Sequence, residues 1–287
     1  MDIKSVFGYE GKTVVVTGAA SGMGKAATEL LIELGAKVHA VDINPVNLPV
    51  EKEYIANLGE KEDIEKLVEE LPENIFAFFS CQGISHFPGI ELKVSKVNFL
   101  GQKYMTELLL PKIADRGSVS FISSFGGFGW EQDYARCLEL IGTKTWEEGL
   151  EWYENNKDAY IAPEGGVVCD YTFSKKCLNS YVSCKAHSPE FIGRKIRINS
   201  LCPGYTITGL SDDFNRSTGN GDAEAGQKLI ENMFLGSWNG HAASAEEMGY
   251  PLAVLGSNIC SYVSGQIIYA DYGLSTQFKH GALSANL

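Results

Sequence analysis

Between Lys12 and Asp42 the chain reads KTVVVTGAASGMGKAATELLIELGAKVHAVD. A β-branched run breaks at glycines, resumes with apolar residues spaced as on one helix face, and closes on a second apolar run. That order predicts a β-α-β unit. Short apolar runs recur at IFAFFSC, GSVSFISS, RKIRINSLCPG and GQIIYADYG, with helical patterns such as LGQKYMTELLLPKIAD and SKKCLNSYVSCKAHS between them. Buried runs alternating with helices imply a parallel sheet covered on both faces, so the predicted fold class is α/β.

Two segments break the alternation. Residues 126–166, from GGFGWEQDYARCLEL through TWEEGLEWYENNKDAYIAPEGG, suggest one or two amphipathic helices inserted between a strand and the helix that carries Tyr171. Residues 205–248 make a second long excursion, in which the glycine-rich STGNGDAEAG precedes the helix-like QKLIENMFLG. Excursions of this length in compact domains are usually functional. With no internal repeat and no low-complexity linker, residues 1–287 read as a single domain.

Composition narrows the function classes. Hydrophobic residues are 44% and charged residues 21% of the chain, enough apolar surface for a packed core. A formal charge of −12 without a Lys/Arg block repels phosphate backbones and anionic headgroups, so neither nucleic acid nor a membrane surface is expected as a partner. No apolar run reaches the roughly 20 residues needed to span a bilayer, and MDIKSVFGYEGK lacks the apolar core of a signal peptide. A cytoplasmic protein is expected. Seven cysteines without a CxxC pair read as buried thiols in a reducing compartment, with no metal site.

The first candidate site is the turn TGAASGMG. Gly18, Gly22 and Gly24, with Ser21 and Met23 between them, stand where a strand turns into a helix, and glycines there let backbone N–H groups approach a pyrophosphate. An ordinary strand-to-helix turn is the alternative. Asp42 ends the next strand about 20 residues on, where a carboxylate binds the adenosine ribose hydroxyls. A 2′-phosphate would meet a like charge there, and neither Ile43 nor Asn44 offers a cation, so NAD is favoured over NADP. A strand-end aspartate capping a loop is the other reading of Asp42. Lys25 is expected to face solvent.

The second is DYTFSKK, residues 170–176. Tyr171 and Lys175 are four apart and share a helix face. A phenol, with a pKa near ~10, is a poor base at neutral pH. An ammonium about 4 Å away favours the phenolate by roughly 4 kcal/mol before desolvation. A downward shift of about two to three units is expected on that basis, into the range useful for general acid–base catalysis. A YxxxK pair alone also fits a surface helix, so its companions matter. Ser124 ends SVSFISS, where its hydroxyl can hold a substrate oxygen; Asn98 lies in SKVNFLGQ, where it can order a water leading to the lysine. Singly, these read as a strand-end turn residue and a polar helix residue.

Together TGAASGMG, Asp42, Asn98, ISS, YTFSK and CPGYTIT resemble the short-chain dehydrogenase/reductase family over nearly the whole chain. The resemblance implies a doubly wound, seven-stranded Rossmann sheet, here with a helical insertion before the catalytic tyrosine helix. It implies an Asn98-Ser124-Tyr171-Lys175 tetrad and hydride transfer between a nicotinamide and a carbonyl or secondary alcohol, with Tyr171 and Lys175 also contacting the cofactor. Pro203, Gly204, Ile207 and Thr208 would line the nicotinamide side, and YVSGQIIYADYG would be the last strand. Two departures stand out. Where the family commonly has Asn-Ala-Gly, this chain has Cys81-Gln82-Gly83, which leaves Gly83 for the cofactor and puts the usual asparagine contact in doubt. Ser124 and Tyr171 are 47 positions apart, far more than is usual, because of the insertion.

The insertion, with the lack of a full helix just after Asp42, is similar to the bacterial 3α-hydroxysteroid dehydrogenase/carbonyl reductase branch. That likeness implies that Asn57 and Leu58 flank adenine, beside Ile43. It also implies that the insertion covers helix faces used elsewhere for tetramers, so that of a homodimer or homotetramer, a dimer through another face is favoured. The expected substrate is a hydroxysteroid or bile acid of 3α type. Phe128, Trp130, Tyr205, Phe234 and Trp238 either line an apolar cleft for it or pack the inserted helices. Another alcohol or polyol dehydrogenase differs only in this pocket. An enoyl reductase would want a longer tyrosine–lysine spacing, and a non-catalytic NAD-binding protein would be expected to have lost one of the four residues.

Overall fold

The computed structural model describes residues 3–161, 170–235 and 241–280. Seven strands form one parallel sheet: β1 (Thr13–Thr17), β2 (Lys37–Asp42), β3 (Lys52–Ile55), β4 (Ile75–Ser80), β5 (Ile113–Ile122), β6 (Arg197–Pro203) and β7 (Ile267–Ala270). Their order is β3-β2-β1-β4-β5-β6-β7. The chain winds outward one way from β1 and the other way from β4, which opens a crevice at the carboxyl ends of that central pair.

The sheet is apolar on both sides because each side faces a core. Val15, Val41, Phe78 and Phe121 point into one core, while Val14, Val16, Ala77 and Phe79 point into the other, as strand alternation requires. Helix α1 (Gly22–Glu33) covers the second core with a late helix, Ala245–Gly256. The two backbones come close, since a Cβ on Gly249 would lie 2.7 Å from the Ala27 nitrogen. Helix α2 (Lys61–Glu70) helps cover the first. Only bends and irregular backbone join Asp42 to Lys52, so β3 follows β2 without a crossover helix.

After β4 the chain forms α3 (Glu91–Ser95), a π turn over Lys96–Leu100, and α4 (Gly101–Leu109). The helical reading of LGQKYMTELLLPKIAD is too long at its end. The helix stops at Leu109, a 3-10 turn containing Pro111 follows, and β5 begins at Ile113. Proline has no N–H to continue the helix, and the spacing of the next apolar residues suits either element.

The described part of the insertion contains α5 (Tyr134–Ile141) and α6 (Trp146–Asn155), followed after a gap by α7 (Asp170–Lys185). Cys137, Leu140, Trp146 and Tyr153 are buried in the same core as α4 and α7. Trp152 stacks on Phe173 at 5.8 Å and Trp146 meets the Tyr104 ring edge-on at 5.5 Å. The inserted helices therefore sit on the outer faces of α4 and α7. In the second excursion α8 (Ser211–Thr218) and α9 (Ala223–Phe234) form a tight pair, with Gly226 so close to Asn215 that a Cβ there has no room. The Ala245–Gly256 helix is α10. Among the described residues no helix is long and apolar enough to cross a membrane.

Candidate active site

The crevice begins where β1 ends. Gly18 has φ +66, and a Cβ on it would lie 2.8 Å from the Cys81 carbonyl carbon, so a side chain is excluded on both counts. Gly22 opens α1 at φ +53. Ser21 precedes α1 without a side-chain cap, which leaves the first-turn amides to an anion. Asp42 stands across from them, its Oδ2 accepting the Ala20 N–H at 3.0 Å and its Oδ1 the Asn44 N–H at 2.9 Å.

Gly18, Ser21, Gly22, Met23, Gly24, Asp42, Ile43, Asn57, Leu58, Gly83 and Thr208 all line one cleft of about 300 Å³. A dinucleotide fits this donor set, with open helix amides at one point and a carboxylate at another. Lys25 pairs with Glu29 at 3.8 Å on the exposed side of α1. Pro203, Gly204 and Ile207 are placed differently from Thr208. Pro203 ends β6 buried, Gly204 donates to the Ala270 carbonyl at 3.0 Å, and Ile207 is 58% exposed. Gly204, Tyr205 and Phe234 border a second cavity of about 350 Å³, beside His241 and Tyr269.

Gln82 occupies the floor. Its Oε1 accepts from Ser80 Oγ at 3.0 Å and pairs with Thr17 Oγ1, tying the end of β4 to the end of β1. The Gln102 amide donates to the Gln82 carbonyl at 3.1 Å. Sequence reasoning flagged Gln82 only as a departure; its polar side chain after a strand was the available signal.

The four tetrad candidates come together at the next strand ends. Ser124 lies just beyond β5, not within it, and caps a 3-10 turn: its Oγ accepts the Gly126 N–H at 3.0 Å. Gly127 lets this turn press on α7, since a Cβ there would be 2.6 Å from Asn179 Nδ2 and 3.0 Å from the Lys175 carbonyl. Tyr171, in the first turn of α7, stands beside Ser124: a Cβ on Gly126 would lie 3.2 Å from the Tyr171 ring and 3.5 Å from Ser124 Oγ. Lys175, one turn on, donates from Nζ to the Ile122 carbonyl at 3.1 Å and is 3% exposed. Gly83 keeps open the space between Lys175 and Asn98; a Cβ on it would be 3.7 Å from Nζ and 3.5 Å from Asn98 Oδ1. Asn98 sits on the π turn, a distortion that recurs at functional sites.

The electrostatics differ from the expected lowering of the phenol. Burial pushes the Tyr171 phenol up to about 12, against a smaller lowering by the Ser124 hydroxyl. Burial also brings the Lys175 ammonium down to about 8. The reason is geometric: Lys175 Nζ lies 5.6 Å from the centre of the Tyr171 ring while it bonds the Ile122 carbonyl, so desolvation outweighs the pairing. In this state the phenol is a proton donor at neutral pH.

Aromatic rings surround the approach to Tyr171. Phe214, from α8, stands edge-on to the Tyr171 ring at 5.0 Å. Phe125 stacks on Phe128 at 5.5 Å and meets Phe234 at 5.3 Å, and Tyr205 lies 6.2 Å from Phe234. Trp130 instead packs on Tyr134 at 5.6 Å, within the insertion. Trp238 lies outside the described residues. Neither Phe125 nor Phe214 was singled out in the sequence, although Phe125 directly follows Ser124. Among the described residues no cluster of three or more His, Cys, Asp or Glu side chains could hold a metal ion.

A family model described as Enoyl-(Acyl carrier protein) reductase matches residues 163–275. A coniferyl-alcohol dehydrogenase from Pseudomonas sp. (strain HR199 / DSM 7063) is 29% identical, with 93% of this chain and 98% of that protein covered. A 3β-hydroxysteroid dehydrogenase 2 from Eggerthella lenta is 24% identical, covering 92% and 95%. The crystal structure of the 3α-hydroxysteroid dehydrogenase from Pseudomonas sp. B-0831, complexed with NADH, superposes with a TM-score of 0.73 at 18% identity, over 94% of this chain and 99% of that one. That last likeness establishes the fold. By these likenesses the chain resembles the short-chain dehydrogenase/reductase family. Its sequence relatives are dehydrogenases and reductases, which supports an oxidoreductase of the alcohol/ketone type, in a family that binds a nicotinamide cofactor.

Proposed function

We propose that this protein interconverts a secondary alcohol and a ketone with NAD, acting on an apolar, plate-like substrate of which a 3α-hydroxysteroid or bile acid is the leading candidate. The observation that carries the reading is that Ser124 and the Tyr171 ring meet at Gly126, with Lys175 one turn away beside Gly83 of the cleft that contains Asp42. A bound nicotinamide supplies the carbon that takes or gives hydride. Ser124 holds the substrate oxygen. Tyr171 gives its proton to that oxygen in reduction and takes it in oxidation. Lys175 steadies the phenolate and holds ribose, and Asn98 fixes the backbone beneath. The α1 amides at Gly22, Met23 and Gly24 hold pyrophosphate, Asp42 takes the ribose hydroxyls, and Asn57, Leu58 and Ile43 border adenine. The Asp42 carboxylate, with Ile43 and Asn44 beside it, favours NAD over NADP.

The steroid reading is supported by the β2–β3 connection without a helix, by the inserted helices and by the rings near Ser124. The relative from Eggerthella lenta adds to it. A second reading, an aryl alcohol, draws on the coniferyl-alcohol dehydrogenase at 29% identity and on the same rings. A non-catalytic role would sit poorly with all four tetrad residues being retained. We take residues 1–287 as one cytoplasmic domain and, with α4 and α7 covered, as a homodimer through another face.

Absorbance at 340 nm tests the reading, with NAD or NADP against hydroxy bile acids, neutral hydroxysteroids, coniferyl alcohol and small polyols. Reduction of NAD by one steroid position supports the first reading and by coniferyl alcohol the second. Activity on polyols alone removes both substrate classes, and silence with NAD bound favours the non-catalytic protein.

A further inference from the structure

One charged pair outside the tetrad is built into the same helix. Asp170 opens α7, is fully buried, and uses both carboxylate oxygens: Oδ1 accepts the Tyr171 N–H at 2.7 Å, and Oδ2 meets His86 Nδ1 at 2.8 Å. His86, with its side chain 15% exposed, lies on the segment after β4, three residues beyond Gly83 and two beyond Ile84. That segment borders Lys175 at Gly83 and is held by Asn98 at Ile84. A carboxylate in the first turn of a helix is favoured by the open amides and the macrodipole, but full burial is costly without a partner. Burial raises the Asp170 carboxyl, and the His86 contact and the Tyr171 N–H both oppose that rise. Glu91, on α3, is the other carboxylate acting on the pair.

We infer that His86 and Asp170 are positioning residues for the reaction, the imidazole fastening the first turn of α7 to the floor of the cleft and so setting where the Tyr171 phenol stands against Ser124. The inference rests on the dehydrogenase reading above. Ser124 stands just beyond β5 and Tyr171 on α7, so how closely they meet at Gly126 depends on how α7 is seated. The His86 contact ties that first turn to the β4 side of the site, which Asn98 also grips. A misplacement of about 1 Å at such a centre costs about 10²-fold in rate.

The test uses the full chain with His86→Ala, His86→Asn, Asp170→Ala and Asp170→Asn, a 3α-hydroxysteroid and an aryl alcohol as probes, and NADH fluorescence for cofactor affinity. The alanine variants should lose roughly ten- to a hundredfold in kcat while the Kd for NADH stays within about twofold. Asp170→Asn keeps an acceptor for the Tyr171 N–H and a hydrogen-bond partner for the imidazole, and should recover most of the rate; His86→Asn should recover part of it. Near-normal kcat in folded His86→Ala overturns the inference, as does a loss of rate matched by an equal loss of NADH affinity. If Asp170→Ala does not fold, His86→Ala decides, because it leaves the Asp170 cap in place. An unsubstituted protein that is silent on every alcohol overturns the dehydrogenase reading and the pair with it, whereas an active one with indifferent variants overturns the pair alone.

Discussion

Asn98 grips Ile84 by both ends of its amide: the Ile84 N–H donates to Oδ1 at 2.8 Å, and Nδ2 donates to the Ile84 carbonyl at 2.9 Å. A single side chain thereby satisfies both backbone groups of a residue in a segment with no regular structure, where an unpaired group would be expensive. The segment so held contains Gly83, which faces Lys175, and His86, which meets Asp170. The grip thus reaches the catalytic helix from the β4 side.

Replacing Tyr171 by Phe removes the proton donor and leaves the dinucleotide cleft intact. Turnover should fall by about 10²- to 10⁴-fold with NADH affinity nearly unchanged. Steady-state rates alongside a fluorescence titration check this, and a variant retaining most of its turnover would remove Tyr171 from the mechanism.

Asp42 is fixed by the Ala20 and Asn44 amides at the edge of the cleft. Asp42→Ala takes away the like charge that a 2′-phosphate would meet. The ratio of kcat/KM for NAD to that for NADP should drop by about tenfold or more, each tenfold being about 1.4 kcal/mol. An unchanged ratio would mean that specificity is set elsewhere.

Lys175 carries a stability signature. Its ammonium falls from 10.5 to about 8 on burial, so between those values the folded protein binds fewer protons than the unfolded chain. Stability then rises with pH across that window. The natural protein should gain on Lys175→Met as pH increases from about 8 to 10.5, a trend read from denaturant midpoints of the two proteins side by side. A flat or falling difference would show that burial does not dominate at this lysine.

Phe214 shields the Tyr171 ring. Phe214→Ala should hydrate the phenol and bring it down from about 12 toward its ordinary value. Oxidation requires the phenolate, so the pH at which the oxidation rate reaches half its maximum should move lower. The KM for a steroid should rise while that for a small alcohol changes little. A profile that stays in place would separate Phe214 from the chemistry.

The sheet and the cleft were legible in the sequence because their signals are local. Val14 to Val16, the glycines and Asp42 lie within one β-α-β unit, and Tyr171 with Lys175 needs only helical spacing. The direction of the tyrosine shift was not legible, since it depends on where the Lys175 nitrogen rests and how much water burial removes. Asn98 gave no sign that its partner is the backbone of Ile84, a contact made by the path of a loop. Phe214 meets Tyr171 only through the fold of the second excursion. The helix ending at Leu109 was overrun because Ile113 and Ala114 continue its apolar spacing.

The inserted helices have a consequence for how the protein matures. Ser124 and Tyr171 are brought together across 47 positions of chain, and that chain contains α5 and α6 docked on α4 and α7. Each doubling of a flexible loop adds only about 0.6 kcal/mol to the entropy of closing it. Docking of α5 and α6 shortens what remains to be closed. Because α5 and α6 share a core with Val15, Phe78 and Phe121 and lie between Ser124 and Tyr171 in the chain, activity on refolding is expected to return only once the insertion is seated, which a rate assay beside far-UV circular dichroism checks.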